Sequence, residues 1–267
     1  MQLSAKDMEI LIQAKKILEN PGFAIKAANY IGKPIEFALE KIDSQTINNA
    51  TQKALQKSLD LAIGTMDLRQ LKTPSNLKHK IAVTASGAAG GVFGMLALPL
   101  ELPVSTTIML RSIAEIAHCE GEELGEFQTR LECLQVFALG SEKSREDDAS
   151  ESAYYAARAG LAYEMKAALK AVEGMSQKAI QDALARGNMP MLIKVIESIA
   201  SRFGIAVSEK AVAQAIPLLG AGGGAGINLL FINHFQDMAK GHFAIRRLEK
   251  IYGKEVVQKV YNAIIQE

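Results

Sequence analysis

Apolar residues along this chain recur at three- and four-residue spacing, and in two places the polar residues between them nearly vanish. Residues 81–110 carry a single charge, Glu101, before Arg111, and residues 81–100 carry none. That length passes the test for a membrane span, although Gly and Ala make up nearly half of it. A second stretch of the same kind covers residues 211–236. Elsewhere the pattern is that of amphipathic helices, and alternation of the kind a strand needs is almost absent. The expectation is an all-α, multi-helix bundle with two central Gly-rich apolar helices, in two halves that resemble each other in composition rather than as an aligned repeat.

The pattern also places the elements. Residues 3–18 form a helix stopped by Asn20-Pro21-Gly22, residues 23–42 a helix bent or restarted at Gly32-Lys33-Pro34, and residues 44–61 another with Ser44 as its cap. These make a helical lead over residues 1–72, ahead of a main helical domain over 73–267. In the first apolar stretch the glycines at 87, 90, 91 and 94 fall on one side of a helix. Four of them cost an isolated helix about 4 kcal/mol relative to Ala, so something must pack closely against that side.

Pro99 and Pro103 are expected to break the chain around Glu101, with Ser105-Thr106-Thr107 capping a new helix that runs to Cys119. A helix over 124–139 closed by Gly140 follows. Residues 141–151, with seven charges, read as an exposed linker. Beyond it come helices over 152–173, 176–186, 189–203 and 208–217, with Gly187-Asn188 and Gly204 as stops. A final pair covers 228–247 and 256–265, divided at Tyr252-Gly253.

Composition narrows the classes. The formal net charge is +1 and charged residues are 22%, so neither a basic nucleic-acid face nor an acidic tail is indicated. Two cysteines, Cys119 and Cys133, without a second Cys at metal-ligand spacing, fit a reduced cytoplasmic setting. Two charge-poor stretches flanked by Lys78, Lys80 and Lys210 favour insertion in a membrane. Against it, the mean hydropathy is barely positive at +0.08, and Gln214, Asn228, Asn233 and His234 would be costly facing lipid. The balance is a helical protein with buried apolar hairpins that attaches to a membrane by an exposed apolar or amphipathic face.

Candidate chemistry centres on Glu101, a carboxylate between prolines in an apolar stretch. Such a group is either raised in pKa or paired with a cation, and Arg111, Arg246 and His234 are possible partners. His234 and Asp237 are three apart, His242 and Arg246 four apart, and Arg111 and Glu115 four apart, so each pair can share a helix face. Glu101, Arg111, His234 and His242 are thus the catalytic candidates, with Glu115, Asp237 and Arg246 as binding candidates. With Glu101 and Asp237 the two histidines have the ligand types of a zinc or iron site, and Glu115-Ile-Ala-His118 is half of a di-iron motif. There is no HExxH and no second half, so no metal is assigned and the pattern names no cofactor. Residues 81–94 can also be read as a strand entering a phosphate loop, but no βαβ unit follows. Ser86 and Ser105 lack the G-x-S-x-G setting of a nucleophile.

The run Glu101-Leu-Pro-Val-Ser-Thr-Thr with Arg111-Ser-Ile-Ala-Glu115-Ile, and Cys133-Leu-Gln-Val-Phe-Ala-Leu-Gly140, resembles the bacterial EcsC family. So do His234-Phe-Gln-Asp-Met238, Gly241-His242-Phe243 and Arg246-Arg247-Leu-Glu249 through Tyr252-Gly253. The resemblance covers roughly residues 75–267. It implies a membrane-linked accessory role, since the family is named for a protein encoded with an ABC transporter, and it carries over no reaction, cofactor or catalytic residue. The expected function is therefore an accessory or regulatory protein at the inner face of the cytoplasmic membrane, linked to a transporter. The alternatives are a hydrolase or metal-dependent enzyme with a buried site at Glu101, Arg111, His234 and His242, and a lipid-binding or pore-forming protein.

Overall fold

The computed structural model describes residues 3–19, 22–31, 44–65, 98–139, 152–215 and 220–264. The glycine run at 87–94, the phosphate-loop reading of 81–94, the bend at 32–34 and the linker at 141–151 lie outside them. The described residues form ten α-helices and no strand. In chain order the helices are α1 Ala5–Leu18, α2 Phe23–Ile31, α3 Ser44–Thr65, α4 Leu98–Cys119 and α5 Phe127–Gln135, continued by a 3-10 turn at Val136–Ala138. Then come α6 Ala153–Val172, α7 Gln177–Ala185, α8 Pro190–Ala215, α9 Gly220–Tyr252 and α10 Lys254–Ala263.

Local chemistry sets most of these boundaries. Ser4, Ser152 and Ser176 cap α1, α6 and α7, each side chain accepting from a backbone N–H three residues on and so satisfying one of the free donors of a first turn. Gly187 and Gly253 end helices with φ of 72° and 88°, a backbone region where a Cβ is strained.

Two breaks expected from sequence do not occur. α4 runs unbroken through Pro103, with Pro99 in the first turn, where a missing N–H removes nothing the helix would have used. Glu101 therefore sits in the first turn of a helix, at the end that favours a negative charge. Ser105 and Thr107 do not cap; their hydroxyls donate back to the carbonyls of Leu102 and Pro103 at 3.2 and 2.7 Å. α8 likewise passes straight through Gly204. A Cβ at that position would lie 2.5 Å from Asn48 Oδ1 of α3, so this glycine serves close helix approach rather than termination.

α8 and α9 are the centre of the bundle. α8 packs against α2, α3 and α6, and α9 against α1, α2, α4 and α10, with α8 and α9 also in contact. α4 and α9 run parallel: Glu101 meets Asn228, Ser112 meets Gln236, and Glu122, just past α4, meets Arg246. α1 lies antiparallel on α9, with Ser4 at Tyr252 and Leu18 against Gly241. A phenylalanine cluster fills the space between, Phe137, Phe203, Phe231 and Phe235, with ring centroids 4.7 to 6.0 Å apart. Leu11, Leu18, Phe23 and Leu55 of the first three helices belong to the same core.

Candidate functional site

Burying a charge costs free energy unless it is paired, so the places where this all-helical core holds charge are the natural places to look for chemistry. Among the described residues, three clusters built on buried titratable side chains are strung along α9.

The first surrounds Glu101. Lys210 Nζ, fully buried, donates to Glu101 Oε1 at 2.7 Å, and Asn228 Nδ2 donates to the same oxygen at 3.3 Å. The ammonium also sits 5.1 Å over the ring of Phe231. Burial pushes the Lys210 pKa down and the Glu101 carboxylate opposes it. Of the other partners expected for Glu101, Arg246 pairs with Glu122 and Glu132 and His234 lies further along α9, while Arg111 is half-buried and Glu115 buried further along α4.

The second is His234. Its ring is 1% exposed and neither nitrogen has a hydrogen-bond partner. Phe23 and Phe235 flank it, with centroids at 6.3 and 5.0 Å. Burial, with the nearby Lys26 charge adding to it, takes the imidazole down to about 3, so it is neutral. Asp237, the expected companion of His234, instead pairs with Lys240 at 3.0 Å on the surface.

The third is the largest. His242 Nε2 lies 3.2 Å from Glu132 Oε2, and its Nδ1 lies 3.0 Å from the hydroxyl of Tyr154. Arg246 bridges two carboxylates, Glu132 Oε1 at 2.7 Å and Glu122 Oε1 at 2.9 Å, and Lys250 reaches Glu122 at 3.0 Å. Arg158 grips Glu249 with both terminal nitrogens, at 2.7 and 3.0 Å, and donates to Tyr154 at 3.2 Å. Three carboxylates thus face three cations, so a neutral His242 leaves the seam balanced. Burial works against the Glu132 charge, but the hydrogen bond from His242 and the Arg246 guanidinium outweigh it and hold Glu132 well below its ordinary range. Burial likewise keeps the imidazole neutral, against the pull of Glu132.

α9 spaces these three clusters. Asn228 is six residues before His234 and fourteen before His242, about 9 and 21 Å along the axis at 1.5 Å per residue. The pair His242 and Arg246 does share a face, as four-residue spacing requires, and both side chains converge on Glu132. Glu101, His234 and His242 do not converge. Among the described residues no group of three or more His, Cys, Asp or Glu is arranged to hold a metal ion, and no helix is long and apolar enough to cross a membrane.

Sequence reasoning missed Lys210, Glu122, Glu132, Tyr154 and Arg158. One signal pointed to part of this: two cationic-type side chains at i and i+4 in a buried helix need a carboxylate opposite them, and Glu132 on the buried helix α5 was available.

An all-helical core in which charged residues are drawn inward and paired defines the class: a bundle whose polar seams join elements far apart in sequence. Within that class the chain belongs to the EcsC protein family, whose sequence profile matches residues 13–248. The match takes in α2 and α3, and it includes the residues of all three clusters on α9 except Glu249 and Lys250. No curated protein and no solved structure matches the chain.

Proposed function

We propose that this protein is an accessory or regulatory protein of the inner face of the cytoplasmic membrane, linked to an ABC transporter, and that it meets the membrane by the end of the bundle where its two apolar stretches touch. The observation that carries the reading is the contact of Glu101 with Lys210 and Asn228, which joins a residue of the first apolar stretch to the second stretch and its flank. Apolar side chains face outward beside that junction: Val104, one turn past Glu101, is 52% exposed, and Leu229, next to Asn228, is 38% exposed. Apolar surface of this kind is suited to the boundary between headgroups and acyl chains. The spacing along α9 also supports this reading over a single buried enzyme site, because it keeps Glu101 about 21 Å of helix from His242.

The test is flotation of the purified chain with vesicles of phosphatidylglycerol and phosphatidylcholine. The unsubstituted protein is expected to float, and the double variant Val104→Glu/Leu229→Glu to stay in the dense fraction. If the unsubstituted protein also stays behind, the membrane reading fails. Release of an entrapped dye in the same assay would move the pore-forming alternative ahead.

A further inference from the structure

Three of the six tyrosines in the chain meet in one place. Tyr154 and Tyr155 of α6 and Tyr261 of α10 have ring centroids 5.0, 5.9 and 5.1 Å apart. Each hydroxyl has its own proton acceptor: His242 Nδ1 for Tyr154 at 3.0 Å, Glu249 for Tyr155 at 3.4 Å, and Glu19 for Tyr261 at 2.9 Å. A buried phenol needs a hydrogen-bond partner in any case, but here each partner is an imidazole or a carboxylate, a group that can take the proton as well as accept the bond. A phenol loses an electron readily only when its proton has somewhere to go.

At Tyr154 the direction of that proton is fixed. Arg158 donates to the phenol oxygen and cannot accept, so the hydroxyl hydrogen is left to His242 Nδ1. His242 therefore carries its own hydrogen on Nε2, aimed at Glu132, whose other oxygen is occupied by Arg246. The ring of Tyr154 is 3% exposed, so a radical formed there is screened from water and from collision with other molecules.

The geometry points to Tyr154 as a redox-active tyrosine, with His242 as its proton acceptor. The co-reactant is a strong one-electron oxidant, either a high-potential metal complex or an oxygen-derived radical. It takes one electron from the Tyr154 ring and is reduced by one electron. The phenolic O–H bond breaks, its proton crosses to His242 Nδ1, and the products are a neutral phenoxyl and an imidazolium held by Glu132. The acceptor distance at Tyr154 lies within the reach required of a proton-transfer pair. This inference is independent of membrane attachment, because Tyr154 and His242 lie about 21 Å along α9 from the Glu101 junction.

The experiment is flash photo-oxidation of the full-length protein with ruthenium tris(bipyridine) and persulfate, read by electron paramagnetic resonance after freezing. Protein is made with nitrogen-15 in its histidines. A tyrosyl radical with a hyperfine coupling to histidine nitrogen is expected, since His242 alone among the described histidines has a ring nitrogen bonded to a tyrosine hydroxyl. The coupling is lost in His242→Gln, the signal is lost in Tyr154→Phe, and both persist in Tyr163→Phe, which alters the most exposed tyrosine among the described residues. A radical without histidine coupling, a signal abolished by Tyr163→Phe, or no radical at all overturns the assignment. Should Tyr154→Phe fail to fold, the coupling in the unsubstituted protein decides.

Discussion

An imidazole buried with no partner on either nitrogen makes acid a selective probe of the interface between α2 and α9. The folded protein holds His234 down to about 3 against an ordinary 6.5, so the unfolded chain binds this proton first and stability rises with pH. The contribution is complete above pH 6.5 and is lost as pH falls from there toward 3. At 1.36 kcal/mol per unit, the loss reaches about 5 kcal/mol at the acid end, and between pH 7 and pH 5 it comes to about 2 kcal/mol. His234→Leu, close in volume and set among Phe23, Phe231 and Phe235, removes that loss. It is also expected to raise stability at pH 7, because a buried polar group without a partner costs about 1–3 kcal/mol. Urea unfolding followed by circular dichroism at pH 7 and pH 5 compares the two proteins. Glu132, Glu122 and Asp7, all lowered in the folded state, weaken both proteins in acid and cancel in the difference. If the variant loses as much stability as the parent between the two pH values, the reasoning about His234 is wrong.

Other substitutions test the packing and the seams. Gly241→Ala would bring a Cβ within 2.7 Å of Leu18 Cγ and should destabilise by about 1–3 kcal/mol in urea. Gly160→Ala meets only the guanidinium end of Arg202, which bonds the Ala157 carbonyl at 3.2 Å and would have to shift, so the gain of about 1 kcal/mol in helix propensity is offset and the change should be near neutral. Arg246→Met strips Glu132 and Glu122 of their shared cation and should cost about 3–5 kcal/mol; a loss under about 1 kcal/mol would show that the seam is wet. Lys210→Met alone should cost a similar amount by leaving Glu101 buried without its ammonium, whereas Glu101→Leu with Lys210→Met should be near neutral, a contrast that thermal melting can measure.

Much of the fold could be read from the sequence because its causes are local. Serine caps, apolar spacing and the glycine at 187 place α1, α6 and α7 within a residue or two, and α9 runs to the Tyr252-Gly253 stop, five residues past the end at 247 that the spacing suggested. Gly204 could not be read the same way. A glycine inside a helical pattern signals either a stop or a close approach, and what decides is Asn48, on a helix more than 150 residues earlier. Pro103 was ambiguous for a similar reason, since only the packing of α4 against α3 and α9 holds the helix together across it. The site was legible in halves. His242 and Arg246 on one face followed from spacing, but their acceptor Glu132 is 110 residues away and Tyr154 is 88 residues away. Lys210 read as the flank of an apolar stretch, yet its ammonium is the fully buried partner of Glu101.

The docking of α1 has a consequence for the order in which the protein can be built. Lys15 Nζ donates to the carbonyls of Tyr261 and Ile264 at 2.8 Å, closing the C-terminal end of α10, and the first contact spans 246 residues. α1 packs on α9 and α10. A chain emerging from the ribosome therefore offers the apolar face of α1, with Leu11, Ala14 and Leu18, long before its landing surface has been translated. A helix made ahead of the rest of the bundle is thus among the last to settle. Until α9 appears, that face is open to chaperones or to the same face of a neighbouring nascent chain, so slowed translation after α8 should increase aggregation more than slowed translation before α2.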